Sequence, residues 1–85
     1  MANINDLVKA IASIQDQVLL EDFLMGITTP KERAELVQRM EIVKRLLAGD
    51  PQHKIASDLG VGVATVTRGS KELAAGRFKV LKEEK

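Results

Sequence analysis

The fold is decided by residues 52–70, which read QHKIASDLGVGVATVTRGS. Gly60 follows the small residue Ala56 by four positions, a spacing typical of two short helices that cross steeply and join at a tight turn. Four apolar residues are placed to hold the two helices together, namely Ile55, Leu59, Val61 and Val66. The stretch therefore predicts a helix-turn-helix.

The outer face of the second helix carries small and polar side chains of the kind that enter a DNA major groove. We predict that this helix and the first turn of the preceding helix contact double-stranded DNA through Gln52, His53, Gly62, Val63, Ala64, Thr67 and Lys71. A helical hairpin that only packs is the alternative, and it explains the glycine turn but not this outer face. His53 is interpreted as a solvated residue or a phosphate contact, because no Cys, second His or carboxylate cluster accompanies it as a metal or catalytic partner.

The composition of the chain argues against several classes of function. The chain has 85 residues, 45% hydrophobic and 29% charged, which is the balance of one globular domain. The absence of cysteine excludes disulfides and thiolate metal sites. Two Phe and no Tyr or Trp offer little for stacking on single-stranded nucleic acid. No phosphate loop, nucleophile elbow or metal spacing is present, so we expect no catalytic residues, no metal and no enzyme.

Charge and hydropathy suggest a partner and a location. Residues 1–49 hold six basic and seven acidic side chains, whereas residues 50–85 hold seven basic and five acidic ones. The basic second part permits an anionic partner. Apolar stretches fall far short of the roughly 20 residues of a membrane span, and the N-terminus lacks a signal-like pattern. We expect a cytoplasmic protein without a membrane partner.

The remaining elements are also helices, so the predicted fold class is all-α. An apolar face at three- and four-residue steps (Ile4, Leu7, Val8, Ile11 and Ile14) predicts a first helix capped by Asn3 or Asn5. Gly26 is expected to end a short second helix. A third helix is predicted from Pro30 to about Ala48, stopping at Gly49, because Thr29 and Glu32 have the spacing of a capping box.

Two further helices and a short tail are predicted after Gly49. Asp50 is expected to cap a fourth helix that runs from about Pro51 to Leu59, and a fifth is predicted from about Val63 to Leu73. The tail is expected to add a helical turn or to fray. We predict a single domain (1–85) with a helical dimerisation core (1–49), a helix-turn-helix reader (50–74) and a short tail (75–85).

The third helix is apolar over more than one stripe (Leu36, Val37, Met40, Ile42, Val43, Leu46 and Leu47). In so short a chain, a second subunit is the simplest cover for the second side, so we favour a homodimer. A central helix in a monomeric bundle is the alternative.

Four segments together carry a family resemblance. They are TTPKER at 28–33, QRMEIV at 38–43, LLAG at 46–49 and GVATVTRGS at 62–70. This combination resembles the Trp repressor family. The resemblance covers about residues 19–74, and the ATVTRGS run, at its distance from the TPKER start, is the most specific part. It implies an intertwined homodimer whose helical core carries two outlying helix-turn-helix readers.

The resemblance also implies a pocket for L-tryptophan, as corepressor, between core and reader. In the family two arginines sandwich an indole ring, and Arg39 and Arg68 match them; guanidinium planes stack on aromatic faces and fork onto carboxylates. Arg68 and Thr29 match the residues that take the ligand carboxylate. The other implied positions are Thr65 and Gly69, the carbonyls of Gly26 and Thr28 that meet the ligand ammonium from the other subunit, and Glu72, where the family has a Ser near that ammonium.

Three functions remain open from the sequence. We favour a transcriptional repressor in which L-tryptophan sets two readers about 34 Å apart, one turn of DNA. Glu72 and Gly26, where the family has Ser and Leu, motivate a helix-turn-helix dimer that binds DNA without tryptophan. A helical protein-interaction module is the third. For the arginines, a surface salt bridge each, for example Arg39 with Glu35, is the alternative to the pocket.

Overall fold

Residues 1–83 are described by a computed structural model of the chain, in which short turns join one helix to the next. No strand occurs within this range. The helices are α1 (Ile4–Ala12), α2 (Gln17–Ile27), α3 (Pro30–Leu47), α4 (Gln52–Leu59), α5 (Val63–Ala74) and α6 (Lys79–Lys82). The predicted all-α fold class is confirmed.

The chain divides into two compact units, residues 1–33 and the part that begins at Ala34. The boundary lies inside α3, so this helix contributes to both units. The predicted core (1–49), reader and tail divide the chain by role in a dimer, and that division stays a prediction, as does the intertwined dimer.

Side chains cap the helices of the first unit. The Asn3 side chain accepts a hydrogen bond from the Asp6 N–H at 3.2 Å, and the Asp6 carboxylate accepts from the Asn3 N–H at 2.8 Å. This reciprocal pair is a capping box, which decides between the two predicted caps in favour of Asn3. Asp16 caps α2 by accepting from the Val18 N–H at 3.0 Å.

The predicted end of the second helix at Gly26 is wrong. α2 continues through Gly26 to Ile27, and the chain leaves the helix at Thr28 in an extended conformation. The cause lies further along the chain: Pro30 disfavours helical geometry at Thr29, so the helix must stop just before it. A left-handed glycine is not needed there, and Gly26 is not among the residues with positive φ.

The predicted start of α3 is confirmed. The Thr29 hydroxyl accepts from the Glu32 N–H at 3.1 Å, while the Glu32 carboxylate accepts from the Thr29 N–H at 2.8 Å. The helix ends at Leu47, and Gly49, with φ +91°, turns the chain out of it. The turn after α3 requires a positive φ at residue 49, and glycine adopts this conformation without a steric penalty.

The predicted role of Asp50 as a helix cap is wrong. α4 begins at Gln52 with Pro51 as its N-cap residue and no side-chain capping bond. The Asp50 carboxylate instead accepts from Nε of Arg45 at 2.7 Å. The guanidinium carries a full positive charge, whereas a backbone N–H is only a dipole, so the ion pair with Arg45 holds the Asp50 carboxylate away from the start of α4.

Two further charges extend this contact. Nη2 of Arg45 lies 2.8 Å from Asp58, and Nζ of Lys54 lies 3.0 Å from the same carboxylate oxygen. The hydrogen bonds from Lys54 and Arg45 lower the pKa of Asp58, and those to Asp50 and Asp58 raise the pKa of Arg45. The cluster joins the end of α3, the following turn and α4.

The helix-turn-helix has the predicted apolar centre. Gly60 takes the left-handed conformation at φ +68°, and the N–H of Val61 donates to the carbonyl of Ala56 at 3.0 Å. Ile42 of α3 joins the core, an addition that the local pattern did not predict. The core consists of Ile42, Ile55, Ala56 and Val66, with Leu46, Leu59 and Val61 packed against it.

The tail forms one helical turn, α6, after left-handed residues at Gly76 and Phe78. Residues 84–85, the end of the predicted tail, lie outside the described residues. Among the described residues, no helix is long and apolar enough to cross a membrane.

Candidate ligand pocket and nucleic-acid interface

A cavity of about 320 Å³ lies between α3, α5 and the tail. Its volume is near the lower end of small-molecule pockets, roughly 300–1,000 Å³. All its lining residues come from the second unit; they are Arg39, Ile42, Val43, Ala64, Thr65, Arg68, Gly69, Glu72 and Phe78. Five predicted ligand residues are thereby brought together, namely Arg39, Thr65, Arg68, Gly69 and Glu72.

Helical spacing explains the α5 side of the cavity. Thr65, Arg68, Gly69 and Glu72 occupy positions i, i+3, i+4 and i+7 of α5, so they share one helix face. Gly69 lies against α3: a Cβ added there would be 3.4 Å from Cγ2 of Ile42. A larger side chain at this position would push α5 away from α3 and change the shape of the cavity.

The charges around the cavity suit a zwitterion. Arg39 and Arg68 are exposed, and within residues 1–83 neither forms an ion pair, so the alternative pairing of Arg39 with Glu35 is not present there. Ile42 and Val43 give the cavity an apolar floor. Two guanidinium groups, a carboxylate and an apolar floor can together hold a carboxylate, an ammonium and a planar ring.

Glu72 supplies that carboxylate. It is half-buried, and its only ion pair among the described residues is a loose contact of 3.7 Å with Nε of Arg77. Arg77 is exposed and Glu72 is only half-buried, so solvent screens this contact and it contributes little to stability. Glu72 therefore keeps acceptor capacity toward the cavity.

The other three predicted ligand residues, Gly26, Thr28 and Thr29, belong to the first unit. The Thr28 carbonyl accepts from Nη1 of Arg33 at 2.7 Å, and the Thr29 hydroxyl is engaged in the α3 capping box. Their predicted contacts with a ligand stay predictions.

Sequence reasoning missed two kinds of lining residue. Ile42 and Val43 were expected only as part of the apolar surface of the third helix, and Ala64 only as a DNA contact. Phe78 was not expected at the cavity. Little in the sequence points to Phe78 as a lining residue. It is the only aromatic residue after Phe23, and the helical pattern does not predict the course of the tail that carries it.

The predicted DNA-contacting residues lie on the first turn of α4 and along α5. His53, Gly62, Val63, Ala64 and Lys71 are exposed, while Gln52 and Thr67 are half-buried. Since Val63 and Ala64 present methyl groups and Lys71 a cation, the surface offers both apolar and phosphate-binding contacts.

Gln52 and Thr67 are joined to each other. Oγ1 of Thr67 donates to Oε1 of Gln52 at 2.7 Å, which links the start of α4 to the middle of α5. The Gln52 amide nitrogen makes no hydrogen bond among the described residues, so its two hydrogens are available to a base or phosphate. The hydrogen bond from Thr67 thus fixes the position of the Gln52 amide, whose N–H groups can act as donors.

No group of three or more His, Cys, Asp or Glu side chains within residues 1–83 is arranged to hold a metal ion. His53 is exposed and has no such neighbours in that range.

Comparison with known proteins gives one family. The sequence model described as "Trp repressor protein" matches residues 2–83. The chain is 48% identical over 69 residues to the Trp operon repressor homolog of Vibrio vulnificus, covering 80% of this chain and 65% of that protein. The corresponding Vibrio cholerae protein is also 48% identical over 69 residues (80% and 64% covered), and that of Aliivibrio salmonicida is 47% identical over 64 (74% and 59% covered). The chain thus spans less than two thirds of the length of these relatives.

Proposed function

The chain belongs to the Trp repressor family, and on that premise we propose that it is a DNA-binding repressor of transcription. The proposal is supported by a helix-turn-helix whose core is apolar and whose outer α5 face is small and polar. A repressor of this kind acts on chromosomal DNA, which in a bacterium places it in the cytoplasm.

In this proposal α5 lies in the major groove. Val63 and Ala64 contact thymine methyl groups, Lys71 and His53 meet phosphates, and Gln52, held by Thr67, donates to the DNA. Gly62, at the start of α5, lets the backbone approach the DNA closely. Val63 and Ala64 thus recognise bases, whereas Lys71 and His53 fix the position of the protein on the DNA backbone.

L-tryptophan is the proposed corepressor. The observation that carries this proposal is the pair of arginines, Arg39 and Arg68, which flank one cavity and have no ion pair within residues 1–83. An indole ring stacks between their planes, and Arg68 forks onto the ligand carboxylate with help from Thr29. The ammonium is received by Glu72 and by the carbonyls of Gly26 and Thr28 from the second subunit.

The link between ligand and DNA is α5 itself. Arg68 and Thr65 face the cavity, while Thr67 and Lys71 belong to the DNA-contacting set of the same helix. A ligand that binds only one orientation of α5 raises the population of that orientation. Tryptophan thereby favours the arrangement that binds DNA, without contacting the bases.

A homodimer completes the proposal. In the isolated chain no residue of the first unit is buried, although α1 and α2 carry many large apolar side chains. The exposed ones are Met1, Ile4, Val8, Ile11, Val18, Leu19, Leu24, Met25 and Ile27. Exposed apolar area of this extent marks a protein interface. A second copy would bury it and present two readers to successive major grooves, about 34 Å apart.

The ligand is tested by titrating L-tryptophan into the protein, with calorimetry and fluorescence as readouts. The chain has no Trp or Tyr, so tryptophan emission reports the ligand alone. We expect one site per subunit with a Kd on the order of micromolar, as for ligands bound by about −8 kcal/mol. Arg68→Ala should lose this binding because it removes the guanidinium. Arg68→Lys should lose it too, because an ammonium does not stack or form the paired hydrogen bonds of a guanidinium.

Lys82→Ala is the matched control, since it removes an exposed charge that does not line the cavity. It should bind tryptophan normally. Unaltered binding by Arg68→Ala would refute the pocket.

DNA binding is tested by selecting duplexes from a random library with and without L-tryptophan. We expect enrichment only with tryptophan, and an affinity that falls steeply with added salt through counterion release. Equal enrichment without tryptophan would favour a constitutive DNA binder. No duplex binding even at low salt would favour a protein-interaction module.

A further inference from the structure

We propose that Phe78 makes the cavity selective for ligands that carry an aromatic ring. The inference rests on the proposed function and adds a residue to it that no sequence motif assigns. It is carried by two separate observations, the place of the side chain and the conformation of its backbone.

Phe78 reaches the cavity from outside the two helices that form the rest of its wall. It follows α5 by four residues and is half-buried. The other lining side chains are aliphatic, charged or hydroxylic, apart from Gly69, so Phe78 is the one aromatic surface among the described lining residues. The wall of the cavity therefore includes one aromatic residue beside two arginines.

The backbone of Phe78 is unusual. Its φ is +63°, and it is the one non-glycine residue with positive φ within residues 1–83. Glycine and asparagine take this left-handed conformation readily, whereas bulky residues rarely do. Outliers of this kind persist where the surroundings hold them in place, and they cluster at ligand sites.

The turn alone does not account for a phenylalanine. Phe78 is the N-cap residue of α6 but makes no side-chain capping bond. Asparagine or glycine would suit both the left-handed conformation and the cap position. We therefore attribute the aromatic side chain to the place of Phe78 in the cavity wall.

An aromatic wall discriminates by ring geometry. A ligand ring and the Phe78 ring can pack edge to face, which stabilises the pair beyond the area that it buries. An aliphatic amino acid keeps its ammonium and carboxylate contacts but loses the ring contact. Phe78 therefore adds to the discrimination that the stacking arginines provide between L-tryptophan and an aliphatic zwitterion such as L-leucine.

The test compares Phe78→Asn with Phe78→Tyr in the full chain. Asparagine removes the ring and tolerates the left-handed backbone, so its melting temperature should equal or exceed that of the unaltered chain. Tyrosine keeps the ring. Calorimetry gives the Kd for L-tryptophan, and displacement of tryptophan by L-leucine gives the Kd for the aliphatic ligand.

We expect Phe78→Asn to raise the Kd for L-tryptophan about tenfold and to change that for L-leucine much less, while Phe78→Tyr stays near the unaltered chain. Val80→Ala, on α6 and 72% exposed, is the control and should change neither Kd.

Each other outcome has a distinct meaning. Unchanged tryptophan binding by Phe78→Asn would overturn the inference and leave Phe78 as a turn residue. Equal weakening of both ligands would also overturn it, because the ring would then only pack. An unaltered chain that binds no tryptophan would refute the proposed function, and this inference with it.

Discussion

Both compact units of this chain consist of helices, but only the second buries apolar side chains in the isolated chain. In residues 1–33, caps at Asn3 and Asp16 define both helix starts, yet no residue is buried in the isolated chain. In the second unit α4 lacks a side-chain cap, yet Ile55 is fully buried. One unit is determined by local hydrogen bonds and the other by an apolar core.

The difference shows where stability comes from. Capping stabilises a helix by about 1 kcal/mol, and short helices are marginal in water without tertiary burial. α1 has 9 residues and α2 has 11, so their caps cannot hold them alone. We therefore expect the first unit to gain its stability from the partner surface of the proposed dimer, whereas the second contains its own core.

Truncating the core of the second unit should have the largest effect. Ile55→Ala removes a fully buried side chain from the centre of the helix-turn-helix and should lower the free energy of unfolding by roughly 2–5 kcal/mol. Chemical denaturation followed by circular dichroism measures it. Val80→Ala, at an exposed site, should change stability by less than about 0.5 kcal/mol. A similar loss in both variants would show that the apparent core is not what stabilises the unit.

The first unit should respond to truncation only through its partner. Leu19→Ser, at a position 58% exposed in the isolated chain, should weaken the dimer at least tenfold, about 1.4 kcal/mol. Sedimentation equilibrium across protein concentrations measures this, and the melting temperature should become more concentration-dependent. Asp22→Ser, an exposed polar position on the same helix, should leave the dimer intact. A dimer unaffected by Leu19→Ser would mean that this face is not the interface.

The same contrast explains what the sequence could predict. The capping box of Thr29 and Glu32 and the left-handed turn at Gly60 involve residues within four positions of each other, so local chemistry was sufficient. The gathering of Arg39, Arg68 and Glu72 at one cavity was implied by the family resemblance alone.

What failed depended on contacts that local patterns do not contain. Gly26 did not end α2, because the following Thr-Pro pair sets the end of that helix. Asp50 did not cap α4, because Arg45 from the preceding helix takes its carboxylate. Phe78 was missed since two left-handed residues, not a helical period, bring the tail to the cavity.

The smallest predicted effect concerns the charge cluster that joins α3 to α4. Hydrogen bonds from Lys54 and Arg45 lower the pKa of Asp58 in the folded chain below its unfolded value of about 3.9. A carboxyl with a lowered folded pKa stabilises the fold above its unfolded pKa. That contribution is lost as the pH falls through the folded pKa.

Asp58→Asn should therefore flatten the acid side of the stability–pH profile in the second unit and leave the neutral plateau only slightly lower. The reduction is small because the Asp58 side chain is 41% exposed and solvent screens its ion pairs. Denaturant midpoints from about pH 2 to pH 7 measure the change, with Asp6→Asn in the first unit as the comparison. Asp6 belongs to a local capping box, so it should affect the first unit alone. If Asp58→Asn keeps the full acid slope, the cluster does not couple α3 to α4, and the burial of Ile42 against α4 and α5 alone holds the unit together.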